Sequence, residues 1–262
     1  MTWVVGVPIP FGYSIGCADI RVTFKDGREK DCLQKIYQVG PVVCAAFAGS
    51  IRIGFEMLQR ISQLLSRVEP GGAWDLDQVA QWWPADALEV WKRMPDCEQC
   101  LGSEFMLFGA HPQEGNPWPK SCVYTFKSPD FAPKALTGRM ASCSLGKGAK
   151  IQTYCEPVER LWIDHEDVVQ LEGGHPGGIA SGMIRLIIEK LLAVPIKGIS
   201  PHMHMLLAFR DHVKATNSDI KYFKKDGSME LEPVLVMPPV FTDYESFLRA
   251  SGGTAQAAQA TG

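Results

Sequence analysis

From residue 2 to residue 9 the chain reads Thr-Trp-Val-Val-Gly-Val-Pro-Ile, a loose alternation rich in β-branched residues that predicts a strand. Phe11-Gly12 marks a turn, and residues 13–20 predict a second short strand. Lys25-Asp26-Gly27 is a hairpin signal. Residues 32–39 and 41–48 predict two further strands, turned at Gly40-Pro41, so the chain opens as consecutive hairpins.

At Ser50 the period of the pattern changes. Ser50 is a helix-capping residue, and Ile51, Phe55, Leu58, Ile61, Leu65 and Val68 follow at helical spacing until Glu69-Pro70-Gly71-Gly72 stops them. Residues 75–94 predict a second helix, kinked near Pro84. Strand patterning returns at 104–110 and 121–127, and residues 149–161 again read as helix. The breaker Gly173–Gly178 precedes the clearest amphipathic pattern, with Ile179, Met183, Leu186, Ile187 and Leu191 on one face. Strands are predicted at 202–209 and 231–236, around the turn Lys225-Asp226-Gly227.

No segment reads as a linker, which predicts a single α/β domain over residues 1–250. Residues 251–262 carry few large apolar groups and are expected to be disordered. Hairpins followed by paired helices, twice over, suit two antiparallel sheets packed face to face between helix pairs, a four-layer αββα sandwich.

Composition narrows the function classes. Of 262 residues, 46% are hydrophobic and 21% charged, ordinary for a globular chain, and the net charge of −3 gives no reason to expect nucleic acid or an anionic membrane as partner. No apolar run approaches the ~18 residues of a membrane span. The first residues lack a basic segment ahead of an apolar one, so no signal peptide is expected and a cytoplasmic location is. The eight cysteines are then expected to be reduced. Cys97-Glu98-Gln99-Cys100 is the only Cys-x-x-Cys, and with His111-Pro112 as a poor second half a loop with incidental thiols is the better reading than zinc. His202 and His204 alternate on a predicted strand but lack an obvious third ligand, so core or interface histidines are expected. No metal or cofactor is expected. Trp74, Trp82, Trp83 and Trp91 crowd the second helix, which suggests that some sit at a subunit interface.

Four pieces of the first 50 residues stand out together: Thr2, Asp19-Ile20-Arg21, Lys35-Ile36 and Ala45-Ala46-Phe47-Ala48-Gly49-Ser50. Their order and spacing resemble the proteasome β-subunit family, in particular the HslV-type peptidases, which are N-terminal nucleophile (Ntn) hydrolases. The resemblance covers residues 2–70 well and the remainder loosely. It implies that Thr2 is the nucleophile once Met1 is removed, a removal that a small second residue permits. A threonine hydroxyl needs a nearby base, and the freed α-amine, with a reference pKa of ~7.7–8.0, is suited to that task. By the same resemblance Lys35 keeps the site electropositive, Asp19 pairs with Lys35, and Arg21 supports the sheet backbone or Asp19. The Gly49 N–H would face the developing oxyanion.

The second half departs from the family pattern. Where the family has a serine in a glycine-rich turn, this chain has Ser-Cys-Ser-Leu-Gly-Lys-Gly: Ser144 serves in one register, and Lys147 occupies the position in the other. In Val-Pro-Ile-Lys-Gly-Ile-Ser-Pro, Lys197 stands at the position of a family aspartate and Ser200 at that of a family serine. A cation at 197 would remove part of the network that orients the nucleophile. The resemblance places Val22, Leu33, Tyr37, Phe47 and Ile51 around the first specificity pocket, with Phe47 narrowing it toward restricted apolar side chains. What it implies overall is a threonine endopeptidase acting on peptides or unfolded chains inside a homo-oligomeric double ring, with an unfolding ATPase as a possible partner. Two alternatives remain open: a catalytically inactive ring subunit of the same fold with a structural role, favoured by Lys147 and Lys197, and an Ntn amidase acting on small amides.

Overall fold

The computed structural model describes residues 2–9, 12–24, 26–66, 74–113, 115–136, 143–151, 153, 156, 194, 196–215, 221–223, 229–231, 238–251 and 258–260. It is a mixed α/β fold with antiparallel sheets. The opening hairpins form as the pattern predicts: β1 (Val4–Ile9), β2 (Tyr13–Asp19), β3 (Arg21–Phe24), β4 (Glu29–Asp31), β5 (Ile36–Gln38) and β6 (Val43–Ser50). Helices α1 (Ile51–Leu65), α2 (Leu76–Arg93) and the short α3 (Asp96–Gln99) follow, then β7 (Ser103–Gln113), β8 (Asn116–Lys127), β9 (Lys134–Ala135) and β10 (Cys143–Leu145). After a 3-10 turn at Lys147–Lys150 come β11 (Met203–Ala208), β12 (Val213–Ala215), β13 (Lys221–Phe223), β14 (Met229–Leu231), α4 (Tyr244–Ala250) and β15 (Ala258–Ala260).

The described strands sort into two large sheets and a separate β13–β14 pair. One runs β10-β1-β2-β11-β12; the other runs β4-β3-β15-β6-β7-β8-β9, with β5 also on β6. Every residue of β1 and β2 is buried, which is why they read as nearly continuous apolar runs. The sheets face each other through one apolar layer, where Val4 and Ala18 of the first meet Ala46, Met106 and Phe108 of the second. Helices α1 and α2 cover the other face of the second sheet, and their apolar stripes share a core with Val22, Leu33, Phe47 and Phe105.

Two expectations need correction. The strand predicted over 32–39 is only β5, because residues 32–35 leave the ladder: Cys32 and Leu33 both donate their N–H to the Ile20 carbonyl. The tail expected to be disordered contributes β15, which pairs with β3 on one side and β6 on the other. Composition forecast disorder because the tail lacks apolar bulk, but a strand needs only backbone groups and two open edges. Of the tryptophans around α2, Trp83 and Trp91 are buried, while Trp74 and Trp82 are half-buried against the same core and meet each other edge to face. The helix predicted over 179–191 lies outside the described residues, as do most of the helix predicted over 149–161, most of the strand predicted over 231–236 and the turn at 225–227.

Candidate active site

The β1–β2 register, with Val4 opposite Ala18, carries the pairing on to Trp3 and Asp19. The Asp19 N–H donates to the Trp3 carbonyl at 3.1 Å, and the Trp3 N–H donates to Asp19 Oδ1 at 2.9 Å. The other carboxylate oxygen accepts the N–H of Arg21 at 3.0 Å and of Ser200 at 3.3 Å. Asp19 is 2% exposed. Its charge is therefore held in place by backbone donors from three separate segments, an arrangement that keeps a buried anion from being left unpaired.

Lys35 completes the cluster. It lies where the chain re-enters the ladder, its carbonyl accepting the Phe47 N–H at 3.1 Å. Its ammonium is fully buried and donates to Thr2 Oγ1 at 3.1 Å, to Asp19 Oδ1 at 3.1 Å and to the Arg21 carbonyl at 2.6 Å. Those acceptors match the donors of a protonated amine. Burial pushes the Lys35 pKa down, and the charge and hydrogen bond of Asp19 oppose it without cancelling it. The amine is thus brought nearer to working pH and set against the Thr2 hydroxyl, where it can hold a negative oxygen or exchange a proton with it.

The segment that abuts Thr2 from the other side is Gly146–Gly148. The Gly148 N–H donates to the Thr2 carbonyl at 3.0 Å. Gly146 has φ +77°, and a Cβ there would lie 2.4 Å from the same carbonyl oxygen, so the close approach requires glycine twice over. Of the two registers considered for the family serine, the one centred on position 147 is the one that touches Thr2. Ser144 sits opposite Val5 in the β1–β10 ladder, and alternation puts it with Val5 on the face away from Val4 and the inter-sheet layer.

Ser200 is brought in as expected. It is fully buried, its N–H serves Asp19, and its Oγ accepts the His202 N–H at 3.0 Å. Lys197 is exposed, so the cation expected to break the network points out of it, while the neighbouring Gly198 N–H donates to Glu29 at 3.3 Å. Arg21 meets the site through its backbone. Its backbone supports Asp19 and Lys35, but its guanidinium makes a bidentate pair with Asp31 at 2.7 and 3.1 Å and reaches Glu29 at 3.3 Å. Burial works to raise the Asp31 pKa, but hydrogen bonds from Arg21 and Ser200 outweigh it and hold the carboxyl below its ordinary value. Asp31 and Glu29 were not singled out in the sequence. The signal was present, because the hairpin turn at Asp26-Gly27 fixes a register that sets Arg21 opposite Asp31.

Gly49, next to last in β6, has φ +98°, and a Cβ there would lie 2.3 Å from the Gly102 carbonyl oxygen. It stands two residues beyond Phe47, whose N–H is bound to Lys35. Val22, Leu33, Phe47 and Ile51 come together with Tyr37 packed against them, yet as closed core: the first four are 0–1% exposed. Phe47 is the cause, since its ring fills the space over Gly54. Four of the five side chains named for a pocket are therefore core. Tyr37 alone reaches an open cleft, beside Phe55 and Tyr244, with its hydroxyl donating to the Gln34 and Thr242 carbonyls.

Cys97 and Cys100 are exposed free thiols. Nδ1 of His202 and Nδ1 of His204 are buried without a partner among the described residues, and burial lowers the His204 pKa. The described residues that could hold a cation are Asp75, Asp77 and His111, whose ligand atoms lie within 4.8 Å of one another. Asp77 is already engaged by Lys120 and by the Tyr124 hydroxyl, and Asp75 by the first backbone N–H groups of α2, so both carboxylates have partners, while Nδ1 of His111 is buried without one among the described residues. No helix among the described residues is long and apolar enough to cross a membrane. No family model and no curated protein matches the chain.

Proposed function

We propose that this chain is a threonine peptidase of the proteasome β-subunit and HslV type, an Ntn hydrolase of four-layer αββα architecture. The observation that carries this reading is the buried Lys35 ammonium donating to Thr2 Oγ1 while Asp19 and the Arg21 carbonyl hold it from behind. A buried lysine is costly unless paired, and a hydrogen bond to one threonine hydroxyl is a poor return unless that hydroxyl reacts.

In this reading Met1 is removed and the Thr2 α-amine becomes free. Thr2 Oγ attacks the peptide carbonyl as its proton passes to that amine, with Lys35 stabilising the developing negative oxygen of Thr2. The carbonyl electron pair moves onto oxygen, which the Gly49 N–H receives. Collapse expels the amine product, which takes the proton, and leaves an ester on Thr2. Water then hydrolyses the ester and restores the hydroxyl. Asp19, Ser200 and Arg21 act through Lys35 as positioning residues. The substrates are peptides or unfolded polypeptides. The working particle is a homo-oligomeric double ring in the cytoplasm, with an unfolding ATPase as a further partner.

N-terminal mass spectrometry of the purified protein tests this first. Met1 should be absent, an epoxyketone or vinyl-sulfone probe should add to Thr2, and Thr2→Ala should abolish both labelling and peptide cleavage. An intact Met1 sinks the peptidase reading. It would favour the inactive ring subunit, toward which the position of Ser144 on the face away from Val4 also leans.

A further inference from the structure

We infer that residues 258–260 are a displaceable strand that blocks a slot for extended peptide beside the Thr2–Lys35 site. Along one edge of β6 the ladder changes partner. Residues 44–46 pair with β5, and the contact continues as far as the bond between Phe47 and Lys35. There the chain of Lys35 peels away toward β4, and the next residues of β6, Gly49 and Ser50, would lose their neighbour. Ala260 and Gln259 take that place. On its other edge the same short strand pairs Ala258 with Phe24 and Gln259 with Thr23 of β3. The slot is therefore bounded by β3 and β6, and it opens where Lys35 leaves the ladder.

Two features mark the occupant as exchangeable. Its contacts run through backbone pairs of a three-residue segment, Ala-Gln-Ala, which any extended chain can imitate. It is also antiparallel to both neighbours, so one incoming strand satisfies both open edges at once. Gly49, the residue whose N–H is proposed to face the oxyanion, is one of its two partners on β6. Tail and peptide thus compete for the same strand position, and the tail has the advantage of being tethered. For a short tether the effective concentration is in the mM range, so a tail of modest intrinsic affinity still lowers the apparent affinity of a free peptide by ~10-fold or more.

What the blockade does to catalysis rests on the proposed peptidase reading; the strand exchange does not, and its test avoids catalysis. The full chain carrying Thr2→Ala is compared with the same chain ending at Ser251, using a fluorescein-labelled peptide of residues 253–261, Gly-Thr-Ala-Gln-Ala-Ala-Gln-Ala-Thr, as probe in anisotropy titrations. The shortened chain should bind the probe at least ~10-fold more tightly than the full chain. Gln259→Pro in the full chain removes a backbone donor from β15 and should reproduce much of that gain without deleting any residue. The same peptide with proline at the position of Gln259 should bind neither chain. Equal affinity for the full and shortened chains, or no binding to either, overturns the inference. Because every arm carries Thr2→Ala, these outcomes are independent of whether Met1 is removed or Thr2 reacts.

Discussion

Lys35 is held between two demands, the cost of burying a cation and the need to keep one beside Thr2. Asp19 settles the balance, so removing its charge without its shape should be costly. Asp19→Asn leaves Lys35 buried with a neutral partner and should lower unfolding free energy by ~3–5 kcal/mol near neutral pH. Part of that loss is recoverable, because Lys35 can shed its proton. The Lys35 pKa is depressed in the folded chain, so between that lowered value and the ordinary 10.5 the unfolded chain binds more protons than the folded one. Stability then rises with pH across that window. In Asp19→Asn the window extends further down, so its deficit against wild type should narrow as pH is raised toward 10. Urea titrations of both proteins at several pH values check this, and a deficit that is constant with pH would show that Lys35 is not the group being desolvated. For activity, Lys35→Met should reduce peptide cleavage by ~10²–10⁴-fold while leaving Met1 removal by an aminopeptidase intact, read by mass spectrometry alongside the rate.

At the scale of elements, the end of β6 and the start of α1 form one unit. Ser50 accepts the Ile53 N–H at 3.2 Å as the helix N-cap and donates its hydroxyl to Glu98, a carboxylate only 5% exposed. Ser50→Ala loses a cap worth ~1 kcal/mol and also strips Glu98 of a partner, a further ~1–3 kcal/mol. Its thermal midpoint should fall by more than that of Asp243→Ala, which removes only the exposed cap of α4. Equal shifts would mean that Glu98 finds water instead. The cap at Ser50 was legible because a serine before a helical period is a local signal. Glu98 was not, because its contact joins residues 48 apart with no pattern to announce it. The same division runs through the candidate site. Thr2, Asp19 and Lys35 were legible as an ordered set on early strands, whereas the placement of Ser200 against Asp19 spans 181 positions and depends on β11 pairing with β2. Residues 32–35 read as strand because Leu33 and Ile36 are apolar. They leave the ladder because the Ile20 carbonyl captures two consecutive N–H groups.

For the whole molecule, the hairpin periods and the change to helical spacing at Ser50 sufficed for two facing sheets with α1 and α2 outside. The tail defeated the same method, since β15 is specified by two vacant edges elsewhere in the fold and not by its own composition. Those edges bear on assembly. A nucleophile that cleaves unfolded chains needs enclosure, and a strand plugging each site supplies restraint of a different kind, one that a single 28.9 kDa chain can carry by itself. Multi-angle light scattering separates the two. A particle many times the mass of the chain, unchanged when the chain ends at Ser251, fits ring enclosure with the tail acting only at the site. A monomer, dimer or tetramer that still labels at Thr2 would replace the ring peptidase by a small-amide hydrolase of the same architecture. In that case turnover of small amides should depend steeply on the tail, because no wall would stand between solvent and Thr2. In a ring, shortening the tail should raise turnover of short peptides that enter freely, while folded proteins stay intact because the ring still excludes them.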